Sequence, residues 1–248
     1  MLKNTYIHIP GIGSSTERRI WERGIKSWDD YLKNHEVVKI PRAKKKSLLC
    51  GVEESIEQLS AGNHIFFAKR LPSGLHWRAY RHFIERTAYV DIETTGLFAE
   101  HDEITMIGVY NGKEMKTFIR GIDIGDAAAE LGKYKQLITF NGARFDLPFI
   151  NQEFPGILNH LHVDLLYPLK KLGYSGGLKR IERALGISRS EETEGMNGFD
   201  AVRLWRRYEK GDEESLDLLI KYNEEDVKNL EKIIKMTHPK MIECEMSF

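Results

Sequence analysis

The sequence predicts an α/β fold, in which helices flank a mixed central β-sheet, preceded by a small all-α N-terminal segment. The first 86 residues show helical apolar spacing and turn residues but no strand-like run. Three strand-like runs then follow in close succession, and a helical stretch separates them from a fourth. The remaining residues are mainly helical, which favours a mixed sheet covered by helices. We therefore expect a helical segment over residues 1–82 and an α/β domain over residues 83–248.

The N-terminal segment is predicted to contain four helices. They are expected at about residues 15–23, from residue 28, at 42–60 and at 64–69. The turn Pro10-Gly-Ile-Gly13 precedes the first helix, and Ser14 or Ser15 followed by Glu17 is typical of a capped helix start. Gly24 favours the end of that helix, because glycine adopts the left-handed conformation that often follows a last turn.

The α/β domain is predicted to contain four strands. They are expected at Thr87–Glu93, Ile104–Tyr110, Lys113–Ile119 and Gln136–Phe140. The dipeptide Asn111-Gly112 between the second and third strands is a strong predictor of a hairpin turn. A helix at about 124–133 is expected before the fourth strand. Further helices are expected near residues 144–153, 165–172, 177–185, 199–209, 213–221 and 224–236.

The composition excludes several classes of protein. Of 248 residues, 41% are hydrophobic and 30% are charged, which excludes wholesale disorder. Two cysteines cannot form a disulfide framework, and no Cys/His spacing predicts a zinc site. No apolar run approaches the roughly 18 residues that a membrane span needs. Since the first residues also lack the features of a signal peptide, we expect a cytoplasmic protein without a membrane partner.

Charge is distributed unevenly along a chain whose formal net charge is zero. Residues 1–86 contain 16 Lys and Arg against 9 Asp and Glu, whereas the rest contains 21 against 28. Such asymmetry indicates a segment that faces nucleic acid beside an acidic domain. The alternative is two solvated surfaces that differ in charge.

Two carboxylates of the first strand predict a metal site. Asp91 and Glu93 are two residues apart, so both side chains point to the same face of the strand. Neighbouring buried carboxylates repel each other, and a divalent cation between them relieves the repulsion. Oxygen ligands suit Mg²⁺ or Mn²⁺. The alternative is an exposed strand end whose acids are solvated.

Polar residues in two later segments support the metal hypothesis. Asn141 and Asp146 follow the fourth strand, and Tyr222 and Asp226 lie four residues apart on one helix face. Each has a structural explanation when taken alone. Asn141 is then a turn residue, Tyr222 a core residue and Asp226 a charge favoured by a helix start.

Taken together, these three groups occur in the order and spacing of the three exonuclease motifs. The sequence resembles the DEDDy branch of the 3′–5′ exonucleases of the ribonuclease H-like fold, which includes the proofreading domains of family-B DNA polymerases. Tyr222, where the DEDDh branch has a histidine, selects the DEDDy branch. The resemblance covers about residues 87–235 and is greatest to the stand-alone prokaryotic exonucleases of the YprB type. Further similar elements are the turn Pro10-Gly-Ile-Gly13, Leu178-Lys-Arg-Ile-Glu182 and Leu204-Trp205.

The resemblance implies a ribonuclease H-like three-layer fold and a two-metal 3′–5′ exonuclease that releases nucleoside 5′-monophosphates. It implies that Asp91 bridges both Mg²⁺ or Mn²⁺ ions and that Glu93 and Asp226 complete the ion on the nucleophile side. Asp146 would hold the second ion, and Tyr222 would orient the attacking water. Nucleic acid is the implied partner, with DNA favoured over RNA and a monomer favoured as the oligomeric state.

Other residues are expected to contact the substrate. The resemblance places Thr94, Thr95, Gly96, Leu97, Asn141 and Phe145 near the terminal nucleotide. Gly11, Gly13, Lys44, Lys45 and Lys46 are candidates for nucleic-acid backbone contacts, because glycine amides and lysines bind phosphates without reading sequence. The turn Pro10-Gly-Ile-Gly13 and the helix after it resemble one half of a helix-hairpin-helix, a motif that binds the DNA backbone. Only nine residues precede Pro10, too few for the first helix of that motif. The turn is therefore either a nucleic-acid contact or a remnant that packs against the nuclease.

Three alternatives stay open at this level. Asp164 is either a further acid of the site or a structural residue that starts a helix, and Arg144 is either a phosphate contact or a solvated residue. The chain as a whole is alternatively a non-catalytic nucleic-acid-binding module, or a structure-specific endonuclease on the same fold.

Overall fold

The computed structural model describes residues 1–247, and the chain divides into two compact units, Met1–Ile84 and Glu85–Phe248. The division falls at residue 84, where the sequence predicts a boundary at residue 82. None of the described helices is both long enough and apolar enough to cross a membrane.

The first unit is entirely helical. Its α-helices are α1 (Ser14–Glu22), α2 (Trp28–Asn34), α3 (Arg42–Ser60), α4 (His64–Arg70) and α5 (Tyr80–Phe83). Short 3₁₀ helices lie at Leu2–Asn4, His35–Val37, Ser73–Ala79 and, at the boundary, Ile84–Arg86. The four predicted helices are present. The core is rich in aromatic rings, and Tyr6, Trp28, Tyr31 and Phe67 are fully buried in it.

Glu17 has a different role from the capping role that the sequence predicts. The N-cap of α1 is Gly13, and no side chain caps the helix. The carboxylate of Glu17 is buried, accepts hydrogen bonds from the Thr5 hydroxyl (2.6 Å) and the Tyr6 amide (2.7 Å), and pairs with Arg78 at 2.8 Å. The capping interpretation is wrong because a buried guanidinium is a stronger partner for a carboxylate than a backbone amide.

The turn at Pro10–Gly13 packs against α3 within the first unit. The Ser47 hydroxyl of α3 donates to the carbonyl of the first turn residue at 3.0 Å. Ile9 lies so close to Gly51 that a Cβ atom there would be 2.6 Å from its Cγ2. Only the 3₁₀ helix Leu2–Asn4 precedes the turn, so the described residues hold one helix of a helix-hairpin-helix and not two.

Among its described residues, the second unit combines one five-stranded sheet with six α-helices and a 3₁₀ helix at Ile124–Asp126 just before the first of them. The strands are β1 (Thr87–Thr94), β2 (Ile104–Tyr110), β3 (Met115–Ile119), β4 (Gln136–Thr139) and β5 (Leu161–Asp164). The helices are α6 (Ala127–Leu131), α7 (Asp146–Glu153), α8 (Leu166–Lys171), α9 (Leu178–Ala184), α10 (Gly198–Tyr208) and α11 (Glu213–Met246). The strand order is β3-β2-β1-β4-β5, in which β1, β4 and β5 are parallel and the other neighbours antiparallel.

Helices cover both faces of this sheet. On one face, Ile92 of β1 packs in a core cluster with Ile150 of α7. On the other face, Met106 of β2 packs with Trp205 of α10 and Leu219 of α11. The predicted mixed sheet between helical layers, with an all-helical segment before it, is confirmed.

Strand β5 is absent from the sequence-based prediction. It contains only four residues, and its apolar positions are too few to show the alternation that identifies a strand. Asp164 ends β5, and its carboxylate accepts a hydrogen bond from the amide of Leu166, the first residue of α8, which agrees with its interpretation as a structural residue at a helix start.

Helix α11 is one continuous helix of 34 residues, where the sequence predicts two. Its buried face carries polar residues, Asn223, Asp226 and Asn229, among the apolar ones. These polar positions interrupt the apolar period of 3.6 that identifies a helix, which explains the predicted break.

Candidate active site

The two acids of β1 lie on the face of the sheet that α11 covers. Asn223 of α11 donates from Nδ2 to the carbonyl oxygen of Asp91 at 3.2 Å and to its carboxylate at 3.1 Å. Gly108 of β2 is the residue opposite Asp91, and a Cβ atom there would be only 1.9 Å from Asn223 Oδ1. A glycine at this position is therefore what allows Asn223 to reach Asp91.

Helix α11 completes a cluster of carboxylates. One carboxylate oxygen each of Asp91, Glu93 and Asp226 lies within 4.8 Å of the other two. Tyr222 lies one turn before Asp226, and Asp146 is buried at the start of α7. The negative charge of Asp146 contributes to the raised pKa values of Asp91 and Glu93, so the fourth predicted acid belongs to the same electrostatic environment.

Burial and mutual repulsion shift the pKa values of Asp91, Glu93 and Asp146 upward. Burial raises the pKa of Asp91 well above its ordinary value, and the charges of Asp226 and Glu93 raise it further. Burial, followed by the charge of Asp226, raises the pKa of Glu93 to about 8. The pKa of Asp146 rises to about 7, chiefly through burial, with a contribution from Asp164. Each shift has the direction expected when a carboxylate loses water and faces like charges.

The cluster fits a divalent cation. All its donor atoms are carboxylate oxygens, which are the ligands that Mg²⁺ and Mn²⁺ prefer. In addition, Glu93 Oε1 is buried and has no hydrogen-bond partner among the described residues. A buried oxygen without a partner is unfavourable unless a cation or water satisfies it. The residues present therefore suit the metal that the sequence predicts.

Two basic side chains, neither of them predicted to belong to the site, contact the cluster. Lys179 of α9 donates to the Tyr222 hydroxyl at 2.5 Å and to Asp226 Oδ2 at 2.9 Å, and its ammonium lies 4.1 Å from the centre of the Tyr222 ring. Burial and the nearby acids raise the pKa of Tyr222. The phenol therefore stays protonated over the physiological pH range.

Arg189, in the loop after α9, forms an ion pair with Asp226 of the cluster. Its guanidinium donates to both oxygens of Glu182, at 2.7 and 2.6 Å, and also to Asp226 Oδ1. Asn229 donates to the same Glu182 at 3.0 Å. Burial opposes the charge of Arg189, but the hydrogen bonds that it donates to Glu182 and the charge of Asp226 outweigh burial and raise its pKa above the ordinary value, so it is permanently charged. Lys179 and Glu182 fall within the sequence element Leu178–Glu182, whereas no motif marks Arg189.

Asp164 shapes the loop that leads to Asp146. Its carboxylate accepts hydrogen bonds from the backbone amides of Asn141 (2.7 Å), Ala143 (3.1 Å) and Leu166 (3.1 Å). Asn141 has a φ of 63°, a left-handed conformation that asparagine tolerates better than most residues. Of the two interpretations of Asp164, the structure favours the structural one.

The other residues predicted near the substrate lie in two loops. Asp102 organises the first loop, since it accepts from the Thr95 hydroxyl, and a Cβ atom at Gly96 would be 2.3 Å from its Oδ1. The Thr94 hydroxyl donates to the Gly96 carbonyl, and the Leu97 side chain is 60% exposed at the loop surface. In the second loop, after β4, the Phe145 ring is partly buried and lies 5.1 Å from the ring of Phe149.

The residues predicted to contact a nucleic-acid backbone lie in the first unit. Gly11, Gly13 and Lys46 are exposed, and Lys44 is partly buried. Lys45 pairs with Glu36 at 3.4 Å.

Comparison with known proteins agrees with this fold. A family model described as the ribonuclease H superfamily matches residues 88–238, which is more than half of the chain. A similar solved structure is the family B DNA polymerase from the hyperthermophilic archaeon Pyrobaculum calidifontis, with a TM-score of 0.50 and 15% sequence identity. The similarity covers 65% of this chain but only 27% of the polymerase. No curated protein matches the sequence. The match to the family model shows that this protein belongs to the ribonuclease H superfamily.

Proposed function

We propose that this protein is a divalent-metal-dependent 3′–5′ exonuclease that hydrolyses phosphodiester bonds and releases nucleoside 5′-monophosphates. The observation that carries the proposal is the convergence of Asp91, Glu93 and Asp226, with Tyr222 one turn before the last of them. Membership of the ribonuclease H superfamily supports nuclease activity. The acids and the tyrosine in their observed order favour the DEDDy type.

In this proposal the four acids Asp91, Glu93, Asp146 and Asp226 hold two Mg²⁺ or Mn²⁺ ions. When bound, such ions stabilise the charge on the reacting phosphate and make a nucleophile available near neutral pH. The raised pKa values of Asp91, Glu93 and Asp146 mean that cation binding competes with protons. Metal affinity is therefore expected to increase as pH rises from 6 to 8.

The chain's own residues orient the reactants. Tyr222 keeps its proton, so its hydroxyl is available as a neutral hydrogen-bond donor to the attacking water. Lys179 donates to the same hydroxyl and thereby fixes its orientation. The exposed Leu97 side chain is available to pack against the base of the terminal nucleotide. DNA is the favoured substrate, with RNA as the alternative.

A digestion assay tests the proposal. Wild-type protein is incubated with 5′-labelled single- and double-stranded DNA and RNA in Mg²⁺, Mn²⁺ or EDTA, and the released nucleotides are identified by chromatography. We expect 5′-mononucleotides in Mg²⁺ or Mn²⁺ and none in EDTA. The variant Asp226→Ala should lose activity by several orders of magnitude. Asp217→Ala, which removes an exposed acid from the same helix, should not.

The two alternatives give different results in the same assay. A structure-specific endonuclease cleaves a substrate whose 3′ end is chemically blocked as fast as an unblocked one, and it releases oligonucleotides. A non-catalytic module releases nothing under any of the metal conditions. Either result would refute the proposed exonuclease activity.

A further inference from the structure

A cavity of about 480 Å³ lies next to the acid cluster, between α9 and the chain that follows it. Its charged and apolar lining includes Lys179, Glu182, Arg183, Arg189, Glu194 and Met196. This volume lies within the range of about 300–1,000 Å³ that is usual for small-molecule sites. A group of the size of one nucleotide therefore fits.

The charges that remain available in this cavity favour an anion. The residues that line it carry three positive charges, on Lys179, Arg183 and Arg189, against two negative charges, on Glu182 and Glu194. Arg189 is engaged by Glu182 and Asp226. Lys179 uses two of its three N–H donors on Tyr222 and Asp226, which leaves one for a ligand. The Arg183 side chain is exposed and, within residues 1–247, takes part in no ion pair. It is therefore free to bind a phosphate without breaking an existing bond.

Lys179 joins the cavity to the acid cluster. Lys179 lines the cavity, and its ammonium reaches Asp226 Oδ2 at 2.9 Å. Arg183 lies four residues further along α9 and therefore on the same helix face. An anion that contacts both cations lies within one side-chain length of the acids.

We propose that this cavity is a phosphate-binding subsite for a single-stranded nucleic acid, with Lys179 and Arg183 as its cationic contacts. The proposal rests on the proposed nuclease function, because it assigns to the cavity a phosphate close to the bond that is cleaved. The same chemistry would also bind the phosphate of a released 5′-mononucleotide. The experiment must distinguish these two sources.

Binding is measured with the full chain in EDTA, where no cleavage is expected. The probe is a fluorescent 12-residue oligothymidylate, and its anisotropy is followed from 50 to 200 mM NaCl. Arg183→Ala is compared with Arg180→Ala, since Arg180 is an exposed arginine on the same helix that does not line the cavity. Both variants keep the same acid cluster, so its repulsion of the oligonucleotide affects both affinities equally. Melting temperatures verify that both variants fold.

We expect Arg183→Ala to weaken binding at 50 mM NaCl by about 3- to 10-fold. It should also reduce the slope of log K against log[NaCl] by about 0.7, the value for one phosphate contact on a single strand. Arg180→Ala should change neither quantity. Glu194→Gln should strengthen binding, because it removes the acid that opposes the phosphate.

Competition with deoxythymidine 5′-monophosphate identifies the source of the phosphate. If the mononucleotide displaces the oligonucleotide from wild type more effectively than from Arg183→Ala, the subsite also holds the product. If it displaces neither, the subsite is specific for a phosphate within a strand. Both results support a phosphate subsite.

The subsite is refuted if Arg183→Ala and Arg180→Ala bind the probe with the same affinity and salt slope, or if wild type does not bind it. This refutation leaves the exonuclease proposal intact when wild type still releases mononucleotides in Mg²⁺. The opposite outcome is also distinguishable. If Arg183→Ala shows the reduced salt slope but wild type digests no substrate in Mg²⁺, the exonuclease proposal is refuted and the phosphate subsite is retained.

Discussion

Replacing Gly108 with alanine should destabilise the second unit through a residue on another element. The added Cβ atom would lie 1.9 Å from Asn223 Oδ1 and 3.2 Å from Met115 Cε. Asn223 is fully buried and its side chain is short, so it cannot move aside without losing both hydrogen bonds to Asp91. The substitution therefore removes two hydrogen bonds instead of filling space.

The expected loss of stability follows from the two hydrogen bonds between Asn223 and Asp91. A neutral hydrogen bond to a carbonyl contributes about 0.5–1.5 kcal/mol, and one to a charged group about 1.5–3 kcal/mol. We expect Gly108→Ala to lower the free energy of unfolding by about 2–4 kcal/mol. At about 2–4 °C per kcal/mol for a protein of this size, the melting temperature should fall by about 5–15 °C.

Urea unfolding and scanning calorimetry in EDTA measure this change, with a double-mutant cycle as the test of mechanism. In an Asn223→Ala background, the Gly108→Ala substitution should cost less than about 1 kcal/mol, because the obstructed side chain is gone. Gly125→Ala is the matched control, since a Cβ atom at Gly125 meets nothing within 4 Å. A loss below 1 kcal/mol in the wild-type background, or the same loss in both backgrounds, would show that Asn223 does not transmit the effect.

Three further predictions concern titration, chemistry and the first unit. Because the pKa of Glu93 is raised from 4.5 to about 8, the folded protein binds more protons than the unfolded chain between these values, so its stability in EDTA should fall as pH rises from 5 to 8. Glu93→Gln should flatten this dependence in urea unfolding series, and an unchanged slope would contradict the assignment. Tyr222→Phe should lower kcat by about 10- to 100-fold with little change in Mn²⁺ affinity by calorimetry, and wild-type turnover would make Tyr222 a packing residue only. In the first unit, Arg78→Met should cost about 3–5 kcal/mol in urea unfolding because it leaves Glu17 charged and buried, whereas Arg78→Met with Glu17→Leu should recover most of the loss. Equal losses in the single and double variants would refute this explanation.

The sequence predicts those parts of the site that depend on local order along the chain. In β1, Val90 and Ile92 alternate with the two acids, and this alternation is sufficient to place Asp91 and Glu93 on one face. The spacing of Tyr222 and Asp226 likewise places both on one side of a helix. The order of the motifs along the chain also predicts that Asp91, Glu93 and Asp226 lie together, as they do.

The sequence does not predict contacts between residues that are far apart along the chain. Glu17 and Arg78 are 61 residues apart, and no local pattern indicates that they pair. No local pattern assigns Arg189 to the site for the same reason, since an arginine in a polar loop is indistinguishable from a solvated one until its partners are known. Asn223 shows a further limit, because a polar residue on the buried face of α11 interrupts the apolar spacing where the helix itself is continuous.

The positions of the three clustered acids along the chain determine when the cluster is complete during synthesis. Asp91 and Glu93 belong to β1, near the start of the second unit, whereas Asp226 belongs to α11, its last helix. During synthesis the ribosome completes β1 long before α11, so a nascent chain carries two of the clustered carboxylates without the third. Cation binding at the complete cluster also favours the docked state of α11, since a ligand stabilises the conformation that binds it. The three-carboxylate cluster is therefore complete only once α11 has docked on the sheet.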